Sequence, residues 1–210
     1  MQVKIFTFND FQENTYILYD ETKQCIIVDP GCNNAAERKQ LVDYINKESL
    51  TPVMLINTHC HIDHVLGNKF VADTFKLTLF AHENEKKVLE YQPQIAAMYG
   101  INYDPSPLIG ASLVAGGTLT FGETTLQLLF VPGHAPGHIC LYDSRSGHCI
   151  AGDALFKGSI GRTDLPGGDH DTLISAIKSE LFTLPDVTVI WPGHGDYTTI
   201  GVEKKTNPFF

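Results

Sequence analysis

The chain has 210 residues, 43% of them hydrophobic and 19% charged, with a formal net charge of −9. That balance describes a globular chain long enough to bury a substantial core and excludes intrinsic disorder. The acidic surplus repels phosphate backbones, and the densest basic cluster is only Lys204-Lys205, so nucleic acid is not an expected partner.

Val3–Phe8, Thr15–Tyr19 and Cys25–Val28 are short, β-branched and aromatic runs broken by polar turns, and each predicts a strand. Asp29-Pro30-Gly31 ends the third. Ala35–Lys47 predicts a helix with Leu41, Val42 and Ile45 on one side. Val53–Ile56 predicts a strand, Val65–Phe75 a helix, Leu77–Ala81 a strand and Glu83–Tyr91 a charged helix. Pro93–Pro107 is poorly patterned and reads as a lid or a surface connection. Strands resume at Thr118–Phe121, Thr125–Val131, Ile139–Tyr142 and His148–Ala151. A helix follows over Asp171–Leu181, then a last strand at Val187–Ile190. The order is strands and helices twice over, with no Pro- or Ser-rich linker. It predicts an α/β fold of two similar halves, packed as one domain over 1–210 with helices outside two sheets.

No apolar run approaches the roughly 18–20 residues of a membrane span. Met1–Phe8 has neither an apolar leader core nor a cleavage site, so a cytoplasmic protein without a membrane partner is expected. Five cysteines without a C-x-x-C pair fit reduced thiols. Cys25, Cys140 and Cys149 lie in apolar runs and read as small core residues.

Four apolar runs end in groups that ligate metals. Val53–Ile56 leads to Thr58-His59-Cys60-His61-Ile62-Asp63-His64; Leu126–Val131 leads to Pro132-Gly133-His134; His148–Gly152 leads to Asp153; and Val187–Trp191 leads to Pro192-Gly193-His194. In α/β folds, sites gather at the carboxyl ends of strands, and Gly and Pro let the chain turn there. Imidazole and carboxylate donors suit zinc first, with iron or manganese also fitting, whereas calcium prefers oxygen donors. Seven ligands exceed one tetrahedral ion and predict two divalent ions. His59, His61 and His134 would hold one, Asp63, His64 and His194 the other, with Asp153 between them. Such a pair acidifies a shared water and supplies a nucleophile at neutral pH without a Ser or Cys. His82, His148 and His170 read as capping, turn or surface residues, and His138 as a supporting residue. Cys60, alternating with the ligands, is expected to point away from them.

The Thr-His-Cys-His-Ile-Asp-His segment at 58–64, with His134, Asp153 and His194, resembles the metallo-β-lactamase superfamily over almost the whole chain. The resemblance implies a four-layer αββα sandwich, with a dinuclear site held by those seven residues at one edge of the sheets. Gly152-Asp153-Ala154-Leu155-Phe156, the run Gly158–Asp164 and Thr206-Asn207-Pro208-Phe209 are similar to glyoxalase II and its short relatives. That similarity implies a thioesterase that cleaves S-acylglutathione or a related small-molecule thioester, with Asp63 assisting the attacking hydroxide. No C-terminal helical extension of the glyoxalase II kind is expected after His194. Arg162 becomes the candidate for binding a substrate carboxylate, or else a brace against Asp164 or Asp169.

The same residues leave other readings open. Persulfide dioxygenases share a similar Gly-Arg-Thr-Asp loop and use a single iron, which here would fall to His59, His134 and Asp153. A metal-dependent hydrolase of another small ester or lactone uses the same centre. A true β-lactamase is disfavoured by the bridging-aspartate pattern, and an RNA-processing nuclease by the charge.

Overall fold

A computed structural model describes residues 1–210. The first sheet contains β1 (Gln2–Phe8), β2 (Glu13–Tyr19), β3 (Gln24–Val28), β4 (Thr51–Ile56), β5 (Leu79–Ala81) and β6 (Ile109–Ser112), side by side in that order. The second runs β14 (Thr198–Thr199), β13 (Val189–Pro192), β10 (His148–Gly152), β9 (Ile139–Asp143), β8 (Thr124–Phe130), β7 (Thr118–Phe121). A small hairpin, β11 (Leu155–Phe156) with β12 (Ser159–Ile160), stands apart.

Strand alternation builds three apolar layers. On β2 and β3, Tyr16, Leu18, Ile26 and Val28 face the second sheet and meet Leu126, Leu128, Ile139, Leu141 and Ile150. Their neighbours Ile17, Cys25 and Ile27 face outward, under Leu41 and Ile45 of α1 (Ala35–Lys47) and Leu89 of α4 (Glu85–Tyr99). On the far side, Cys140, Tyr142 and Cys149 pack under Leu173 and Ile177. Those two residues belong to α5 (His170–Ala176) and to the π-helical turn Ile177–Leu181 that continues it. The result is the expected αββα sandwich. The cysteines are all buried and free, and no helix is long and apolar enough to cross a membrane.

Several elements depart from the expected boundaries. The helix expected over Val65–Phe75 is two, α2 (Ile62–Val65) and α3 (Asn68–Phe75). The Gly67 N–H leaves the ladder to donate to the Pro30 carbonyl at 2.7 Å. The helix expected to stop at Tyr91 runs on to Tyr99 through Pro93, so half of the expected loop or lid is helix. A proline removes one N–H and crowds the preceding turn. Here the Gln92 side-chain amide donates to the Val88 carbonyl at 2.8 Å in that turn, and Leu89 and Ala96 bury the helix on both sides of it. The short strand β6, the β11–β12 hairpin, β14 and α6 (Ile200–Thr206) had no strong pattern to announce them.

One set of contacts ties the halves together. The Asn14 N–H donates to the Gly193 carbonyl at 2.7 Å. Its side-chain amide donates to Pro192 and Gly195 carbonyls at 3.1 and 2.9 Å, and the Tyr16 hydroxyl donates to Pro192 O at 2.6 Å. Strand β2 of the first sheet thus holds the loop after β13 of the second.

Candidate metal centre

The seven predicted residues meet at the carboxyl ends of β4, β8, β10 and β13. His59, His61 and His134 converge: His61 Nδ1 lies 2.9 Å from His134 Nε2, which lies 3.2 Å from His59 Nε2. Asp63, His64 and His194 form a second triad, with Asp63 Oδ2 3.0 Å from His194 Nε2 and 3.6 Å from His64 Nε2. Asp153 lies between them. Its Oδ2 is 3.6 Å from both His134 Nε2 and His194 Nε2, and its Oδ1 is 3.4 Å from His64 Nε2.

Second partners fix which ring nitrogen faces the centre. His134 Nδ1 lies 2.7 Å from the Arg162 carbonyl and His194 Nδ1 3.1 Å from the Phe11 carbonyl. A carbonyl only accepts, so each Nδ1 carries the proton and each Nε2 offers a lone pair. His64 Nδ1 lies 3.2 Å from Asp29 Oδ2. Thr58 Oγ1 donates to Asp29 Oδ2 at 2.6 Å, which leaves it free to accept from His59 Nδ1 at 3.1 Å. Buried Asp29, seen in the sequence only as part of a turn, therefore orients one imidazole of each triad. His138 supports the centre as expected: its Nε2 accepts the Asp153 N–H at 3.1 Å and its ring stacks on His59 at 5.1 Å.

These residues fit a pair of cations. Lone pairs 2.9–3.2 Å apart repel unless something positive lies among them. A tetrahedral ion with bonds of about 2.0–2.1 Å spans ligand-to-ligand edges of about 3.3 Å. His64 Nε2 and Asp153 Oδ1 are buried, face each other and have no hydrogen-bond partner, a costly arrangement that a shared cation resolves. Burial and the neighbouring imidazoles hold His59 well below its usual range, and burial with His134 holds His61 down at about 3. Neutral imidazole is the ligating form. Burial alone would depress His64, but the Asp63 and Asp153 carboxylates outweigh it and raise the imidazole well above its usual range. That second triad attracts positive charge.

Backbone geometry makes room for this. Gly152 sits at φ +47° just before Asp153, and a Cβ there would press on Thr58 and His138. A Cβ on Gly193 would collide with Asp153 Oδ1 and approach His64 Cε1 to 2.7 Å.

Glu85 is a supporting residue the sequence did not mark. It is fully buried at the start of α4. Its Oε2 accepts the Cys60 N–H at 2.8 Å and its Oε1 the Gly137 N–H at 2.6 Å. It clamps the His59–His64 loop to the His134–His138 loop. Burial pushes its carboxyl up to about 7 against the opposing pull of those two N–H donors. Cys60 itself packs in the core, away from the triads, as expected. His82 accepts the Asn84 N–H near the start of α4.

Both triads open into a cleft of about 1220 Å³ between α4 and the loop 156–167. Arg162 lines it, yet its Nε and an Nη already donate to Asp164 at 2.7 Å each. The brace expected of Arg162 is present, and the side chain remains exposed on the cleft.

The family model described as "Metallo-beta-lactamase superfamily" matches residues 8–194. The hydroxyacylglutathione hydrolase GloC of Haemophilus influenzae is 36% identical over 216 residues, covering 100% of this chain and 98% of its own. Two solved structures are each 34% identical. The BLEG-1 B3 metallo-beta-lactamase has a TM-score of 0.91, with 99% of both chains covered. TTHA1623 in a di-iron-bound form has a TM-score of 0.89, with 99% of this chain and 100% of that one covered. The chain belongs to the metallo-beta-lactamase superfamily, as one of its metallo-hydrolases.

Proposed function

We propose that the protein is a dinuclear thioesterase of the glyoxalase II type, a single domain over 1–210 that cleaves S-acylglutathione or a related small thioester. The observation that carries this reading is the meeting of two complete triads on one carboxylate, Asp153. His59, His61 and His134 would hold one divalent ion and Asp63, His64 and His194 the other. The likeness to GloC, a hydroxyacylglutathione hydrolase 36% identical over the whole chain, supports the substrate class. When bound, the ions supply an acidified water and Lewis acidity at the attacked carbonyl.

The protein's own groups do the rest. Asp29, Thr58 and the Arg162 and Phe11 carbonyls hold the four Nε2-ligating imidazoles in one tautomer and orientation. Burial opposes ionisation of Asp63, but His64 and His194 outweigh it and lower its carboxyl. The ionised Asp63 is the group placed to accept a hydrogen bond from the attacking water. Arg162, balanced by Asp164, faces the cleft where a substrate carboxylate would lie.

The test is metal content and turnover on one preparation of purified protein. Two ions per chain and hydrolysis of S-lactoylglutathione are expected. One iron per chain with oxygen uptake on glutathione persulfide would make it a dioxygenase instead. Two ions with turnover only on a β-lactam or a lactone would keep the centre and overturn the thioester.

A further inference from the structure

We propose that the acyl group of the substrate is an extended apolar chain of about six carbons or more, lying along α4. This deepens the thioesterase reading and rests on it. Val88, Tyr91, Ile95 and Tyr99 follow the three- and four-residue spacing of one helical face, and all four line the cleft. From Val88 to Tyr99 that face is about 16 Å long at about 1.5 Å per residue. Tyr91 and Tyr99 are 58% and 61% exposed, a large aromatic surface left open to the cleft. The opposite wall continues the same character. The Phe156 ring stands 6.3 Å from the His194 ring, beside the second triad, and the Phe11 ring meets Tyr99 edge-on at 6.0 Å.

The charged cleft residues of α4 and the turn before it gather at the opposite end, at Glu83, Lys86 and Lys87. Along α4 the lining passes from these charges at the first turn to Tyr91, Ile95 and Tyr99, and across the cleft Arg162, paired with Asp164, is a further cation near Tyr99. A three-carbon hydroxyacyl group would leave most of the aromatic wall wet. The volume of about 1220 Å³ also exceeds the roughly 300–1,000 Å³ of ordinary small-ligand sites.

The experiment uses the metal-loaded protein and glutathione thioesters of acetate, butanoate, hexanoate and octanoate, with S-lactoylglutathione alongside. Burial of each methylene predicts a gain in kcat/KM of about fourfold, or on the order of 200-fold from acetyl to hexanoyl. Ile95→Asn and Tyr91→Ser should each lower the hexanoyl-to-acetyl ratio by about fivefold or more. Tyr91 is exposed, so its variant keeps the test decisive where Ile95→Asn fails to fold. A flat or falling series with S-lactoylglutathione still cleaved overturns the acyl site and leaves the thioesterase standing. If no thioester is cleaved, the thioesterase reading falls and calorimetry with hexanoate against acetate decides this one. Tighter hexanoate binding that Tyr91→Ser weakens supports the chain site; equal binding overturns it.

Discussion

Glu85→Gln isolates the clamp between the two ligand loops. The side chain keeps its volume, but an amide has one accepting oxygen where the carboxyl offers two. One of the Cys60 and Gly137 N–H groups then faces an NH2 in a fully buried site. An unsatisfied buried donor costs about 1–3 kcal/mol. The carboxyl also titrates differently in the two states, at about 7 when folded against an ordinary 4.5. A raised folded value means the native state holds a proton the unfolded chain has already lost. That contribution is complete below about 4.5 and is lost as the pH rises through about 7. The separation corresponds to about 3 kcal/mol. The wild type should therefore outlast Glu85→Gln by about 1–3 kcal/mol at pH 5, while at pH 8.5 the variant should match or exceed it. Urea unfolding of both proteins with chelator present reads the difference, in which the titrations they share cancel. A constant deficit across that range would refute the shifted carboxyl. No deficit at pH 5 would refute the clamp.

The centre yields three more expectations. Asp153→Ala should take metal content from two ions per chain toward one or none and cut turnover by at least about 100-fold; full occupancy by elemental analysis would remove its bridging role. Gly193→Ala forces a methyl against Asp153 and His64, and should lower both metal content and stability, the latter by about 1–3 kcal/mol. Unchanged melting and metal content would show that the loop yields freely. Stripping each ion from protein saturated about 1,000-fold above its Kd removes about 4 kcal/mol, which for a chain of this size lowers Tm by about 10 °C per ion. A chelator that leaves the melting curve in place would separate the ions from the fold.

The ligand set was legible because its signal is local and repeated. Each ligand segment follows an apolar run, and four ligands stand within His59–His64. The sandwich was legible for a related reason: β2, β3 and β9 alternate between two apolar layers, so each strand carries information about two faces. The supporting residues left no such trace. Glu85 is one acid in a segment that also carries Glu83 and Glu90, and only the packed loops bury it. Asp29 looks like any turn aspartate, because the imidazoles it orients lie some thirty residues away. Pro93 conceals the second half of α4, where tertiary packing overrides a local breaker. Arg162 was visible with Asp164 and Asp169 as alternative partners, and the loop's conformation selects Asp164.

The hold of Asn14 and Tyr16 on the loop around His194 has a consequence for the order of assembly. Those hydrogen bonds join positions up to 181 residues apart in the chain. Contacts of such separation close late, because the intervening loop must first lose its freedom. The dense His59–His64 segment exists from the start, but it lacks His134, Asp153 and His194 until both sheets have docked. A nascent chain can offer an ion only a partial and mobile set of donors. The complete set of donors is a property of the finished sandwich, and a second ion would be the last component to join it.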